Sequence, residues 1–348
     1  MGEETVLKSD SRIGITGATG MMGAYLLRAL VSRGFTNIGC LKRPSSSTEL
    51  TGGDAEKVDW EEGDLLDPES IWNFTEGKDV VFHCGAFVTF NPKHKKDVLR
   101  TNINGTADLV DACRENGVKF LVHCSSVSAL GNPENGKMTD EESPWDQRLK
   151  LSPYAESKYS SEMEVFRANA EGLPAVIINP SLILGGGFWH RGTARLHITV
   201  SRGMPFYPMG TGGFVDARDV AEMMIELCRP EFSGQRFICN SENKTYREVL
   251  SRIADGLGAK PPNKPLKKWM IYTAPMLLRA GRKLGFRMPR LTKDMLLASH
   301  KNSLFDNSKS IEKLGFEYRP IDQTLDELSR LFREDHEKGK KFSLLPMD

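Results

Sequence analysis

The stretch Ile13-Gly14-Ile15-Thr16-Gly17-Ala18-Thr19-Gly20-Met21-Met22-Gly23 runs from an apolar segment into three glycines spaced three apart, then into residues with helical patterning. Arg12 to Thr16 reads as a short buried strand, and Met22 to Arg33 as a helix that ends near Gly34. A strand that turns at once into a helix needs residues without side chains. At Gly17, Gly20 and Gly23 that absence also lets backbone N–H groups and the positive end of the helix approach a pyrophosphate. The spacing is GxxGxxG, not the commoner GxGxxG, so the turn draws its weight from what surrounds it.

What surrounds it is an alternation of strands and helices. Further strands are expected at Ile38–Leu41, Val58–Glu61, Val80–Cys84, Phe120–Cys124 and Ala175–Ile178. Helical patterning lies between them, around Ile71–Phe74, over Val98–Asn116 and over Pro153–Glu171, with Pro153 at the first helical position. The pattern predicts an α/β fold of the doubly wound Rossmann type, with a parallel sheet, helices on both faces and right-handed crossovers. The dinucleotide-binding domain is expected over 1–180. Beyond Pro180, glycine, proline and aromatic residues become frequent, and 181–348 is expected to form a smaller substrate-binding subdomain. Segments over about 213–240 are expected to return to the first domain, with Phe237–Cys239 as a late strand. Tyr246–Leu257 and Trp269–Leu284 are further helical candidates.

Composition narrows the function classes. The 348 residues are 39 % hydrophobic and 27 % charged, with a net charge of +1, which gives no general attraction to nucleic acid. No apolar run approaches the roughly 18–20 residues of a membrane helix. Met1 to Asp10 has no signal-peptide core, so the expected location is cytoplasmic. Cys40, Cys84, Cys113, Cys124, Cys228 and Cys239 are scattered and read as free thiols. The histidines are dispersed as well, and no metal site is expected.

Two places carry chemistry. Ser152-Pro153-Tyr154-Ala155-Glu156-Ser157-Lys158 puts Tyr154 and Lys158 one helical turn apart. A phenol is a weak acid at neutral pH, and a neighbouring ammonium lowers its pKa, which suits it to proton transfer. Ser126 follows the fifth strand, at the sheet edge where ligands of open parallel sheets bind, and can hold a substrate oxygen beside the tyrosine. The second place is Lys42-Arg43-Pro44-Ser45, after the second strand, where the adenine ribose is expected. An acid there would repel a 2′-phosphate. Two cations attract one, so NADP(H) is favoured and NAD(H) stays open.

These motifs together resemble the extended short-chain dehydrogenases/reductases, of the NAD-dependent epimerase/dehydratase and 3β-hydroxysteroid dehydrogenase type. The resemblance covers almost the whole chain. It implies dinucleotide contacts from Thr16, Gly17, Thr19, Gly20, Met21, Met22 and Gly23, and from Lys42, Arg43 and Ser45. It adds Asp64 and Leu65 at the adenine, Cys84-Gly85-Ala86 after the fourth strand, Asn102 of Asn-x-x-Gly-Thr, and Pro180 with Ser181 on the nicotinamide side. Ser126, Tyr154 and Lys158 take the family's catalytic positions, Lys158 also holding the nicotinamide ribose. Phe214 to Ala221 fits the family's Val-Asp-x-x-Asp-Val-Ala stretch. Gly85 stands where the family often has alanine.

For the substrate, the arginine that sugar-nucleotide enzymes carry just before the Val-Asp stretch is missing from Thr211-Gly212-Gly213-Phe214. The chain is closer to reductases resembling dihydroflavonol reductase and hydroxysteroid dehydrogenase. Phe87, Thr89, Phe90, Phe188, Trp189 and Tyr207 are the expected lining, suited to an apolar or aromatic alcohol or ketone. The expected activity is hydride transfer between NADP(H) and a secondary alcohol/ketone. The rivals are a nucleotide-sugar epimerase or dehydratase with bound NAD, and a redox-sensing dinucleotide-binding protein. Lys264 to Lys293 holds nine Lys or Arg and no acid, and is a candidate contact for an acyl carrier, CoA or a membrane surface. A homodimer is implied by the resemblance alone.

Overall fold

The structure is a computed structural model that describes residues 5–89, 92–131, 133, 137–145, 152–283 and 293–347. Its first half alternates β1 (Ile13–Thr16), α1 (Met21–Ser32), β2 (Ile38–Lys42), β3 (Asp59–Glu62), α2 (Pro68–Thr75), β4 (Val80–His83), α3 (Lys95–Leu99), α4 (Gly105–Glu115), β5 (Phe120–Cys124), α5 (Pro153–Ala170) and β6 (Ala175–Pro180). These six strands and a late strand, Arg236–Cys239, form one seven-stranded sheet. From one edge it reads Arg236–Cys239, β6, β5, β4, β1, β2, β3, and every pairing is parallel. Strands covered by helices on both faces need apolar residues at successive positions, and β1 and β4 are buried throughout.

The chain leaves β1 toward β2 and β3 on one side, then crosses to β4 on the other. Strand order therefore reverses between β1 and β4. In open α/β sheets the crevice at such a point, beyond the strands' carboxyl ends, is where ligands bind.

Past β6 the chain builds a second sheet from Leu182–Leu184, Thr211–Asp216 and Glu242–Thr245, with Thr211–Asp216 in the centre. The helix Ala217–Glu226 follows directly, with Asp216 as its cap: the Asp216 carboxylate accepts the Arg218 N–H at 2.7 Å. The segment after Gly213 thus reaches the main sheet only at Arg236, after a strand in the second sheet and this helix.

The long helix expected over Val98–Asn116 is interrupted. It begins earlier, at Lys95, and Arg100–Asn104 forms a π-helical turn between α3 and α4. The wider turn accompanies an inward Asn102, whose carboxamide accepts the Phe87 N–H at 2.7 Å and donates to the Phe87 carbonyl at 3.2 Å. Periodicity alone does not report such an insertion. The helix expected over Trp269–Leu284 spans Lys268–Lys283, and Leu284 lies outside the described residues. Among the described residues no helix is long and apolar enough to cross a membrane.

Candidate active site

The glycine turn is a cradle that side chains would fill. Gly17 has φ of +74°, and a Cβ there would stand 2.6 Å from the Gly85 backbone nitrogen. A Cβ on Gly23 would stand 2.3 Å from the Gly17 carbonyl oxygen. No side chain caps α1 at Gly20 and no acid lies in its first turn, so no capping side chain occupies its first N–H groups. That donor set, bare of side chains at the strand-order reversal, fits a dinucleotide pyrophosphate. Thr19, Met21 and Met22 are half-buried on its rim.

Thr16 ties the turn to its neighbours. Its hydroxyl accepts the Gly85 N–H at 3.1 Å and lies 2.7 Å from His83 Nδ1. The far nitrogen, His83 Nε2, is 3.0 Å from the Thr106 hydroxyl, which donates to the Asn102 carbonyl at 2.6 Å. Thr106 must then accept from Nε2–H, and in the neutral ring the Thr16 hydroxyl donates to Nδ1. Burial keeps the ring neutral and pushes His83 down to about 3. Gly85, with Ala86 half-buried beside it, has a consequence not evident from the sequence: a Cβ there would lie 2.8 Å from Leu65 Cδ1 and would push that side chain aside.

Where the adenine end is expected, the two cations differ. Lys42 Nζ sits 3.0 Å from Glu62 Oε1 on the adjacent strand, in an ion pair whose carboxylate is exposed. Arg43 and Ser45 are exposed. Asp64 closes the loop after β3, its carboxylate accepting the Leu66 N–H at 2.9 Å and its carbonyl the Asp67 N–H at 3.0 Å.

The catalytic candidates converge at the carboxyl edge. Ser152 caps α5 by accepting the Ala155 N–H at 3.2 Å, and Pro153 fills the first turn, so Tyr154 and Lys158 start the helix against β5. Ser126 begins a short 3-10 turn after β5, accepts the Ser128 N–H at 3.1 Å and hydrogen-bonds Tyr154. Lys158 is buried, and its ammonium donates to the Cys124 carbonyl at 2.7 Å. The expected lowering of the phenol by Lys158 is not what the structure holds. Burial pushes Tyr154 up to about 12, against the Ser126 hydrogen bond, while Lys158 is turned toward β5 and is itself lowered by burial. Cys84 and Cys124, at the ends of β4 and β5, meet through their thiols, which raises Cys84 and lowers Cys124.

Behind this trio lies a polar layer that the sequence did not announce. Glu162 is fully buried one turn beyond Lys158. Asn179 donates both to Glu162 Oε1 at 2.5 Å and to the Ser126 carbonyl at 3.0 Å, and Arg236 reaches Glu162 Oε2 at 3.3 Å. Asn102 Nδ2 donates to the Ser157 hydroxyl at 2.9 Å, fixing α5 to the π turn. The signal for Glu162 was its spacing: it shares a helix face with Tyr154 and Lys158. Pro180 ends β6, and the Ser181 N–H donates to the Cys239 carbonyl at 3.0 Å, so the segment expected on the nicotinamide side is held by the late strand. Tyr25 is a second unannounced tie. Its hydroxyl accepts from the N–H of Gly186 and of Leu345, both at 2.9 Å, and pins residues 342–345 over the start of α1.

His123 supplies a test of the buried layer. It pairs with His83 across β4 and β5, ring centroids 5.0 Å apart, and neither of its ring nitrogens has a hydrogen-bond partner. Burial lowers it well below its usual 6.5, with Lys158 and His83 adding to the effect. The folded protein keeps the ring neutral, so the stability it confers is complete above pH 6.5 and is lost as pH falls toward its folded value. Replacing His123 with Leu is expected to shrink the fall in unfolding free energy between about pH 7 and pH 5 by roughly 2 kcal/mol. Glu162, Glu141 and Asp219, raised by burial, pull the other way in both proteins and cancel in the comparison. Urea unfolding at the two pH values measures it, and an unchanged fall would refute it.

The substrate side is less uniform than expected. Phe87 is half-buried, edge-on to His94 at 5.9 Å, and Thr89 is half-buried nearby. Phe188 packs on Phe342 at 5.1 Å with Arg191 over its ring at 4.8 Å. Trp189 is buried against Phe332, and its indole N–H donates to Asp335 at 2.8 Å. Tyr207 lies under Arg247 at 5.2 Å, and Phe90 is outside the described residues. Among the described residues no group of three or more His, Cys, Asp or Glu could hold a metal.

Residues 13–238 match the model of the NAD dependent epimerase/dehydratase family. A Synechocystis sp. protein with a provisional dihydroflavonol 4-reductase designation is 29 % identical over 89 % of this chain and 91 % of its own length. Sterol demethylase protein B of Methylococcus capsulatus is 28 % identical over 86 % of this chain and 92 % of its own. The crystal structure of gox2253 superposes with a TM-score of 0.78 at 28 % identity, covering 93 % of this chain and 98 % of that one.

Proposed function

The chain belongs to the NAD dependent epimerase/dehydratase family, enzymes of the extended short-chain dehydrogenase/reductase type, and on that premise we propose that it transfers a hydride between NADP(H) and a secondary alcohol or ketone of a small apolar or aromatic compound. The observation that carries this reading is the hydrogen-bonded Ser126–Tyr154 pair at the carboxyl edge, with Lys158 buried one turn along the same helix. When bound, the dinucleotide supplies or accepts the hydride. The turn from Gly17 to Gly23 would hold its pyrophosphate, and Lys158 its nicotinamide ribose. Ser126 orients the substrate oxygen, and the Tyr154 hydroxyl gives that oxygen a proton on reduction or takes one on oxidation. The polar layer of Asn179, Glu162 and Arg236 keeps Ser126 and α5 in place behind them.

A reductase is favoured over a sugar-nucleotide enzyme by the charges beyond β6. Arg218, the cation nearest the Val-Asp stretch, is buried in ion pairs with Asp216 at 2.7 Å and Glu327 at 2.8 Å, so it is not free for a diphosphate. Half-buried Phe87 and Phe188 suit an apolar substrate. NADP(H) is favoured because Arg43 is an exposed cation where the ribose is expected, Lys42 being engaged by Glu62. Changing Arg43 to Ala is expected to raise the NADPH dissociation constant about tenfold and to leave that of NADH unchanged, since one charged contact is worth roughly that factor. Equal effects on both would count against the assignment. The function itself is tested by NADPH oxidation across a library of apolar and aromatic ketones. Tightly bound NAD in the purified protein, with no net oxidation of added cofactor, would show an epimerase or dehydratase instead.

A further inference from the structure

The helix Lys268–Lys283 has an inner face that the fold explains and an outer face that it does not. Ile271 is buried against Leu266 and Leu296. On the other side Trp269 is 62 % exposed, Tyr272 59 %, Met276 68 % and Leu277 66 %. At helical spacing these four fall within one arc of the surface, opposite Ile271. Single exposed apolar residues are ordinary; four large ones in a stripe, two of them aromatic, call for a covering surface.

Charge identifies that surface. Residues 256–293 contain ten Lys or Arg and no Asp or Glu, in a chain whose net charge is only +1. Lys264, Lys267 and Lys268 are exposed where the helix begins, and Lys293 Nζ lies 4.4 Å from the centre of the Tyr272 ring. Asp294 follows directly, the first acid after this run. A second copy of the chain would bring two such cationic faces together, which repulsion opposes. An acidic protein would satisfy the lysines but needs no Trp and Tyr beside them. A bilayer interface matches both: aromatic rings and lysine stems lie among the upper acyl chains, while the indole N–H, phenol O–H and ammonium groups meet water and phosphate.

We propose that the stripe Trp269, Tyr272, Met276 and Leu277, flanked by Lys264, Lys267, Lys268 and Lys293, docks this protein on an anionic lipid surface. The contact is peripheral: one helix lies in the plane of the headgroups and the catalytic domain stays in water. It does not depend on the substrate or cofactor assigned above, and it would bring the enzyme to a surface where apolar ketones concentrate.

The experiment is sedimentation of the whole 348-residue chain with phosphatidylcholine vesicles, with and without about one-third phosphatidylserine. Binding is expected to be at least roughly tenfold tighter on the anionic vesicles and to weaken with added salt. Two variants separate the components: Trp269→Ser with Leu277→Ser removes apolar contact, and Lys267→Glu with Lys268→Glu reverses charge. Each is expected to lower binding about tenfold or more, with thermal midpoint and cofactor binding unchanged, because these side chains are exposed. Tryptophan emission should shift to the blue on anionic vesicles in the wild type and lose that shift in the Trp269 variant. Equal partition onto both vesicle types, no binding to either, or undiminished binding by both variants would overturn the proposal. So would binding of an acidic carrier protein, or self-association through this helix, without binding to vesicles.

Discussion

Tyr154→Phe is expected to lower turnover by about a thousandfold while leaving the dissociation constant for the dinucleotide within roughly twofold of the wild type. The substitution removes one oxygen and keeps the ring, so α5 and its cap at Ser152 are untouched. What disappears is the group proposed to exchange a proton with the substrate oxygen. Ser126 retains its own bond from the Ser128 N–H and cannot take over that role. The glycine turn proposed to hold the pyrophosphate belongs to β1 and α1, whereas Tyr154 belongs to α5. Steady-state rates beside a fluorescence titration with NADPH separate the two effects. Full activity in the variant would remove Tyr154 from the mechanism, and loss of cofactor binding would make its role structural.

The same residue sets a pH signature. With burial holding the phenol at about 12, the protonated form that reduction uses is available throughout the neutral range. Oxidation needs the phenolate, which becomes scarcer as pH falls below that value. Alcohol oxidation is therefore expected to speed up as pH rises from about 7 to 10, and reduction to stay flat over most of that range.

Gly23→Val is expected to abolish dinucleotide binding and also to destabilise the fold. The added Cβ would meet the Gly17 carbonyl oxygen at 2.3 Å and the Ala18 Cα at 2.7 Å, both backbone atoms that no side-chain rotation can move. α1 would have to draw away from the turn, and the N–H groups at its start would no longer converge. Overpacking of this kind costs about 1–3 kcal/mol, which in a protein of this size lowers the thermal midpoint by several degrees. Affinity should fall by about a hundredfold or more as the donor set is dispersed. Gly20→Ala is the control. Its Cβ would meet only the Gly17 carbonyl oxygen, at 3.3 Å, on an exposed turn, so the midpoint should hold while affinity drops. A Gly23 variant with wild-type stability and affinity would show that the close approach is not needed.

Most of the framework was legible in the chain because its signals are local. The strand-turn-helix at Ile13–Gly23, the apolar runs of β1, β4, β5 and β6, and the Pro153 start of α5 are decided by neighbouring residues. What escaped depended on residues far apart. The π turn at Arg100–Asn104 accompanies the Asn102 tie to Phe87, fifteen positions away. Glu162 carried a helix-face signal, but the partners that help make a buried carboxylate tolerable, Asn179 and Arg236 among them, are brought beside it by β6 and the late strand. Trp189 shows the limit in the other direction: an aromatic in a glycine-rich loop looks the same whether it meets a substrate or packs against Phe332.

By itself the sequence determined the fold class and the strand–glycine turn–helix, and nominated Ser126, Tyr154 and Lys158, because each follows from backbone demands or from one helical turn of spacing. Only the tertiary structure decided how these groups are charged and what they face. It turned Lys158 to the Cys124 carbonyl, raised Tyr154 through burial, engaged Lys42 with Glu62 and left Arg43 exposed. The physical reason is that desolvation and ion pairing depend on which distant side chains arrive at the same point, and that is a property of packing, not of spacing along the chain.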